Sequence, residues 1–283
     1  MANQQETWTL LNVLNWTKGY LADKGVDNAR LEAEWLLCAA MDLDRVGLYL
    51  NFDKPLTDQE LDSYRAMVAR RAKREPLQYI LGSQEFYGLE FSVNPATLIP
   101  RHDTELLVEE ALKRAASRSR VLDIGVGSGC IACAMAKNLP EADVWGVDIS
   151  PGALAQAREN SGANSVNLTL LEGSLFEPLA GQRFNIIVSN PPYIPTCDLA
   201  DLQPEVREFE PLGALDGGPD GLDFYRQIIP GALEHLQSNG WLLLEVGIGQ
   251  AGDVEALFGQ SGFSSLFRST DSGGIERVVG GKI

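Results

Sequence analysis

Val121-Leu122-Asp123-Ile124-Gly125-Val126-Gly127-Ser128-Gly129 runs from an apolar strand pattern through a glycine-rich turn into a helix expected over 129–138. Glycine lets a backbone turn sharply and lets a ligand approach it closely. A plain tight turn accounts for the glycines alone. Two details point further. The spacing is G-x-G-x-G, not the G-x-G-x-x-G of dinucleotide sites. Asp123 also ends the strand just before the loop, where a carboxylate would repel a pyrophosphate and attract an amino group.

Outward from this loop, strand and helix patterns alternate. A helix over 104–117 precedes strand 120–124. Strand 143–148, helix 151–162, strand 167–171 and strand 184–189 come after the glycine loop and its helix. A Pro-rich loop, helix 222–238, strand 241–246 and two closing strands complete the chain. Such alternation predicts an α/β fold, with a mostly parallel sheet covered on both faces. Ligands of these sheets bind at the carboxyl ends of the strands. The second strand, Val144-Trp145-Gly146-Val147-Asp148, ends on an acid placed to accept both hydroxyls of a ribose. Capping of the next helix is the other reading of Asp148, because Pro151 follows closely. The loop, Asp123 and Asp148 together describe a nucleoside cofactor with a cationic tail.

A second candidate site follows strand 184–189, at Asn190-Pro191-Pro192-Tyr193. The adjacent prolines have fixed φ and no N–H, so the turn is stiff and its carbonyls stay free. The Asn190 side-chain oxygen and the Pro191 carbonyl can accept the two N–H bonds of a substrate –NH2, and Tyr193 offers a flat face to a planar group. Two aimed acceptors suit a planar amide-type nitrogen, whose delocalised lone pair makes it a poor nucleophile. A rigid turn that merely ends a strand is the alternative.

The first 75 residues carry helical patterns and no visible chemistry. Leu10, Val13, Leu14, Thr17 and Leu21 share one face, with Gly25 as a stop. Asn28 is expected to cap a second helix with Leu31, Trp35, Cys38 and Met41 inside. Thr57-Asp58-Gln59-Glu60 reads as a capping box, and Pro76 as the end of the bundle. Residues 83–94 alternate partly around a glycine, which predicts a β-hairpin bridging two domains. The expected division is 1–75, a helical recognition domain; 76–103, a linker with the hairpin; and 104–283, the cofactor-binding domain.

The chain has 283 residues, 45% hydrophobic and 22% charged, with a net charge of −16. That composition supports a full core. Its acidity weighs against nucleic acid as main partner and suits a cationic cofactor. One basic cluster, Arg70-Arg71-Ala72-Lys73-Arg74, stands where a helix is expected to end. It reads as a solvated helix end favoured by the dipole, or as a polyanion contact. Cys130 and Cys133 form a C-x-x-C in an apolar stretch. Two ligands do not complete a metal site, so they read as small buried side chains, and no metal is expected. The polar stretch Met1 to Glu6 does not resemble a signal peptide, and no apolar run reaches membrane-span length. The expected location is the cytoplasm, with no membrane partner.

The sequence resembles the class I methyltransferases that carry an N-P-P-Y motif, and within them the protein-(glutamine-N5) methyltransferases of bacterial peptide chain release factors. Beyond the two sites, the resemblance rests on Leu77 to Gly82, Leu98-Ile99-Pro100-Arg101, Thr104-Glu105, Glu210-Pro211, Ala214 to Gly218 and Asp220-Gly221-Leu222. It implies a Rossmann-like class I methyltransferase sheet with a small N-terminal helical bundle and a connecting β-hairpin. It implies S-adenosyl-L-methionine as cofactor, bound by Asp123, Gly125, Val126, Gly127, Ser128, Gly129, Asp148 and Asn190, with the adenine near Ser174 and Leu175. The substrate is implied to be the glutamine of the Gly-Gly-Gln motif of release factors, held by Asn190, Pro191, Pro192 and Tyr193, with Asn190, Pro191 and Tyr193 as the catalytic group. Three departures stand out: His102-Asp103 in place of Pro-Glu, Val126 in place of Thr, and Ser174-Leu175 in place of Asp and an aromatic. His102 reads as a loop-surface histidine. The competing readings are a glutamine methyltransferase of a ribosomal protein, a nucleic-acid amino-methyltransferase, a non-catalytic cofactor sensor and a dehydrogenase. The Asn190-to-Tyr193 platform argues against a sensor, and Asp123 with the glycine spacing against a dehydrogenase.

Overall fold

Leu10, Val13, Leu14, Thr17 and Leu21 form the buried face of helix α1 (Leu10–Asp23) in the computed structural model, which describes residues 8–283. The polar stretch Met1 to Glu6 lies outside the described residues. Four more helices follow in the first of two units: α2 (Ala29–Met41), α3 (Arg45–Leu50), α4 (Asp58–Arg71) and α5 (Leu77–Leu81). The first unit comprises residues up to Gly82 together with Pro204–Phe209, so it continues past Pro76, which caps α5 instead of ending the bundle. Thr57 and Glu60 make the reciprocal capping box at α4. Two expectations for α2 are corrected. Asn28 makes no side-chain cap, and the buried face is Ala29, Ala33, Leu36, Leu37 and Cys38. Leu31 and Trp35 are 41% and 44% exposed. The buried stripe shares Cys38 with the expected one but otherwise runs through the alanines, whose small side chains suit close helix packing.

The second unit, Ser83–Gln203 with Glu210–Ile283, opens with the antiparallel hairpin β1 (Ser83–Phe86) and β2 (Leu89–Ser92). The hairpin clusters with this unit instead of standing as a separate linker. Helix α6 (Glu105–Leu112) leads into β3 (Arg120–Ile124), α7 (Cys130–Asn138), β4 (Asp143–Asp148), α8 (Pro151–Ala163), β5 (Thr169–Glu172) and β6 (Phe184–Ser189). The Pro-rich stretch holds short 3-10 turns and α9 (Pro204–Phe209), which clusters with the first unit. The chain closes with α10 (Asp223–His235), β7 (Leu236–Glu245), α11 (Ala251–Gln260), β8 (Ser264–Thr270) and β9 (Glu276–Lys282). The sequence reading missed α11, and β7 starts five residues before the expected 241.

Seven strands pair in the order β5-β4-β3-β6-β7-β9-β8, parallel except where β9 meets β7 and β8. Two hydrophobic clusters cover the faces. One is built around Tyr225, Ile228 and Phe258 of α10 and α11, the other around Leu107, Met135 and Leu154 of α6, α7 and α8. The strand order reverses at β3, whose neighbours are β4 and β6, and this is where such sheets open a crevice at their carboxyl ends. No helix among the described residues is long and apolar enough to cross a membrane.

The basic cluster divides within the first unit: Arg70 and Lys73 are exposed at the end of α4, as the solvated-end reading expects, while Arg71 turns inward, which that reading did not foresee. Arg71 is 4% exposed and pairs with Glu32 and with Glu205 of α9. Arg74 also reaches Glu205, at 2.6 Å, and Arg70 pairs with Glu75, at 2.6 Å. Cys133 is buried and Cys130 half-buried.

Candidate active site

Parallel register brings the sequence-predicted residues together. Ile124 of β3 pairs with Val147 of β4 and with Ser189 of β6. The next residue on each strand is Gly125, Asp148 and Asn190, so these three stand side by side where the strands end. Strands lie about 4.8 Å apart, which puts the Asp148 and Asn190 backbones roughly 10 Å apart with the glycine loop between them. The Ser189 hydroxyl donates to Ile124 C=O at 2.7 Å and ties the two strand ends.

A cavity of about 450 Å³ opens here, within the range of small-molecule clefts. Gly125, Val126, Gly127, Ser128, Asp148, Ser174, Leu175, Asn190, Pro191 and Pro192 contribute to its wall. Gly125 and Gly127 have φ of +73° and +53°, a region that L side chains rarely adopt, and a Cβ on Gly125 would meet no protein atom within 4 Å. Asp148 closes the loop: its carboxylate accepts from Gly127 N–H and Ser150 N–H, each at 2.9 Å. The cap of α8 is Ser150, which accepts from Ala153 N–H, so Asp148 is not that cap. Leu175 is a non-glycine residue at φ +50°, a conformation that costs energy and recurs at ligand sites. The side chain of Val126 is buried, and a Cβ on Gly146 would come within 2.7 Å of it.

Three expected site residues stand outside the wall. Gly129 has φ +82° and packs on Ala157 of α8, so helix packing accounts for it. Asp123 is 1% exposed, beneath the loop, with no hydrogen-bond partner on either carboxyl oxygen. Burial pushes its carboxyl up to about 8, the Ala132 backbone N–H opposing and the Asp148 charge adding to the rise. Tyr193 turns its ring toward Gly247, and its C=O accepts from the Gln250 amide at 2.9 Å. Burial pushes the Tyr193 phenol up to about 12.

Further residues build the site without having been given a role in it by the sequence: Asn160 and Ile149 belong to no motif, while Arg101, Thr104, Glu210, Gly217 and Gly221 stand in motifs of the resemblance. Asn160, fully buried on α8, grips Ser92 of β2 through its backbone N–H and C=O and donates to Ser128 C=O at 2.8 Å, bracing the glycine loop. Glu210 accepts from Ile99 N–H at 3.1 Å and pairs with Arg101, holding the 98–101 segment that also lines the cavity. Ile149, 72% exposed, adds an apolar face beside Asp148. Thr104 lines the cavity and accepts from the Asn190 amide nitrogen, Nδ2 to Oγ1, at 3.2 Å. Gly217 and Gly221 let their loop lie directly on the Tyr193 backbone; a Cβ on Gly221 would come within 2.4 Å of Tyr193 C=O. His102 is 74% exposed on its side chain, with Nδ1 3.3 Å from Glu105.

Comparison with known proteins decides the family. Over its full length the chain is 64% identical to a release factor glutamine methyltransferase of Geobacter sulfurreducens, covering 100% of each. The chain belongs to the release factor glutamine methyltransferases. A family member from Thermodesulfovibrio yellowstonii is 40% identical, over 88% of this chain and 90% of its own. Residues 12–82 match the PrmC N-terminal domain and residues 102–200 the methyltransferase small domain. A methyltransferase structure from Pyrococcus furiosus, 18% identical, aligns with a TM-score of 0.53 over 69% of this chain and 89% of that one, and shares the fold. The second unit therefore has the class I methyltransferase sheet, and the chain is a methyltransferase.

Proposed function

We propose that this chain transfers the methyl group of S-adenosylmethionine to the side-chain amide nitrogen of a glutamine in peptide chain release factors, the glutamine of their Gly-Gly-Gln motif. Relatives that share most or all of the chain are named release factor glutamine methyltransferases. One observation carries the chemical part: the Asn190 amide nitrogen is engaged by Thr104 beside the cavity wall. In that orientation its oxygen is free to accept one N–H of an incoming amide, and Pro191 C=O accepts the other. An amide –NH2 needs such a pair of acceptors, and both strengthen as positive charge develops on nitrogen.

The cavity fits the donor. Each Asp148 oxygen accepts one backbone N–H and keeps a lone pair for a ribose hydroxyl. Ile149 and Leu175 offer apolar surface to the base. When bound, S-adenosylmethionine supplies an electrophilic methyl group on a sulfonium sulfur. The residues of this chain orient the two partners: the glycine loop and Asp148 hold the nucleoside end, while Asn190 and Pro191 hold the nucleophile. Alignment of this kind is worth roughly 7–11 kcal/mol of a barrier. Tyr193 braces the Pro-Pro turn from outside the cavity, through its C=O and its ring packed against Gly247. The helical first unit serves recognition of the protein substrate, and the reaction takes place in the cytoplasm.

The test is methyl transfer from labelled S-adenosylmethionine to purified release factors, with a ribosomal protein and tRNA as competitors, followed by mass mapping. Label on the glutamine of Gly-Gly-Gln is the expected result. Label confined to the ribosomal protein or the tRNA overturns the assignment.

A further inference from the structure

Glu245 ends β7 in the rung beside Asn190. Ser189 pairs with Leu244, so the next residues, Asn190 and Glu245, stand side by side as β6 and β7 end. Glu245 is 2% exposed, outside the cavity wall, and its Oε2 is buried without a partner. Burial pushes its carboxyl up to about 7, opposed by hydrogen bonding from Thr104, by the Arg277 charge and by hydrogen bonding from Asn190, while the Asp103 charge adds to the rise. Arg277 of β9 is itself paired with Asp103, at 2.7 Å, and Asp271, at 3.2 Å. Tyr225 of α10 donates its hydroxyl to Glu245 C=O at 2.8 Å. The other ionisable side chains around Glu245 are thus Arg277, Asp103, Tyr193 and Tyr225; burial raises both phenols. The cavity-lining groups leave this carboxyl without a task.

An asparagine amide has a donor end and an acceptor end that differ little in shape, so its orientation is set by its neighbours. The Thr104 hydroxyl both donates and accepts and so cannot choose between the two ends. An ionised carboxylate is acceptor-only and selects the –NH2 end. We propose that Glu245, as a carboxylate, is the positioning residue that, with Thr104, holds Asn190 with its amide oxygen toward the substrate nitrogen. A protonated Glu245 gains a donor and draws the Asn190 oxygen away from the cavity. Activity therefore rises with pH as Glu245 ionises. The inference rests on Asn190 being the amide clamp, but the orientation is measurable without substrate or donor.

The experiment follows the Asn190 side-chain ¹⁵N–¹H₂ resonances of the full-length protein between pH 5.5 and 8.5, and kcat with both substrates saturating. An inflection near neutrality is expected in both, and it persists in the Asn190 resonances of an Asp123→Asn variant, which removes the other carboxyl that titrates in this window. Glu245→Gln removes both inflections and lowers kcat on the order of 10²-fold, as a misaligned reacting group does, while donor affinity stays within about twofold, far short of a tenfold loss of binding. Thr104→Val, which removes the hydroxyl on Asn190, lowers kcat as well. His102→Gln, which removes the exposed imidazole two residues away, keeps the inflection. Asn190 resonances that do not move with pH in the wild type, or Glu245→Gln with wild-type kcat and pH profile, overturn the proposal. If Glu245→Gln fails to fold, the wild-type titration decides alone. An inflection at Asn190 in a protein that leaves release factors unmethylated keeps the orientation and removes only the substrate assignment.

Discussion

Gly127 donates its backbone N–H to the Asp148 carboxylate at 2.9 Å, so the acid that ends β4 also closes the glycine loop that follows β3. Replacing it removes a ribose acceptor and slackens the loop at once. Asp148→Ala is expected to weaken S-adenosylmethionine binding by about 1.5–3 kcal/mol, the range for losing hydrogen bonds to a charged group. Asp148→Asn loses nearly as much, because one carboxylate oxygen becomes a donor facing Gly127 N–H or Ser150 N–H. Calorimetry on folded variants checks both, and unchanged affinity removes Asp148 from the site.

Binding and chemistry separate at Asn190. Asn190→Ala leaves one substrate N–H unpaired in a desolvated pocket, with most of the effect at the transition state, where charge builds. Turnover on the release factor is expected to drop on the order of 10²–10³-fold, with donor affinity largely kept. Asn190→Asp keeps an acceptor but adds a negative charge near the sulfonium, so it holds the donor more tightly and transfers more slowly. Single-turnover rates and donor affinity measured together distinguish the two variants. A near-normal rate for Asn190→Ala leaves the motif as a stiff turn only.

Asp123 carries a pH signature of its own. Its folded carboxyl titrates near 8, against an ordinary value of 3.8. The folded state therefore holds a proton that the unfolded chain has released between these values. Stability from this group is fully present below 3.8 and is lost as pH rises through about 8. Asp123→Asn, which cannot ionise, is expected to gain stability relative to wild type on going from pH 5 to pH 8. Urea unfolding at the two pH values measures it; a constant difference shows that Asp123 does not titrate in this window. If Asp123 also meets the donor's ammonium group, binding at pH 7 releases about one proton, which calorimetry in buffers of different ionisation enthalpy detects.

The sheet was legible because its strands are short apolar runs punctuated by glycine and proline. The positions of Gly125, Asp148 and Asn190 follow from parallel register once those runs are found. Long-range partners were not legible. Glu245 ends an apolar strand and looks like a surface acid until its neighbour is known to be Asn190. Asn160 has no motif, and its value lies in reaching both Ser92 and Ser128. Asp123 and Gly129 sit within the motif yet face away from the cavity, Asp123 because alternate residues of a strand point to opposite faces, Gly129 because it starts α7 and packs on Ala157 of α8. The α2 stripe misled for a different reason. Tryptophan and leucine outweigh alanine in a hydrophobicity pattern, while close helix packing favours the alanines.

The cluster at the end of α4 separates stability from partner choice. Burial pushes Glu205 up, yet hydrogen bonds from Arg71 and Arg74 outweigh it and hold the carboxyl below its ordinary 4.5. A carboxyl depressed on folding contributes stability above its unfolded value and loses it as pH falls through the folded value. Glu205→Gln is therefore expected to be less stable than wild type at pH 7, with the gap closing in acid below about pH 4. Arg71→Met leaves Glu32 and Glu205 short of a buried counter-ion and is expected to cost about 3–5 kcal/mol. Trp8, Trp16 and Trp35 lie in the first unit, and Trp145 and Trp241 in the second. Fluorescence in a Trp145→Phe, Trp241→Phe background thus reports unfolding of the first unit alone. The same pairing speaks to partners, because Arg70, Arg71 and Arg74 already meet carboxylates. Few counterions are then released on contact with a polyanion, so binding to tRNA or duplex DNA near physiological salt is expected to be weak. Sub-micromolar, steeply salt-dependent binding that is lost in an Arg70→Ala variant would return the cluster to the role of a nucleic-acid contact.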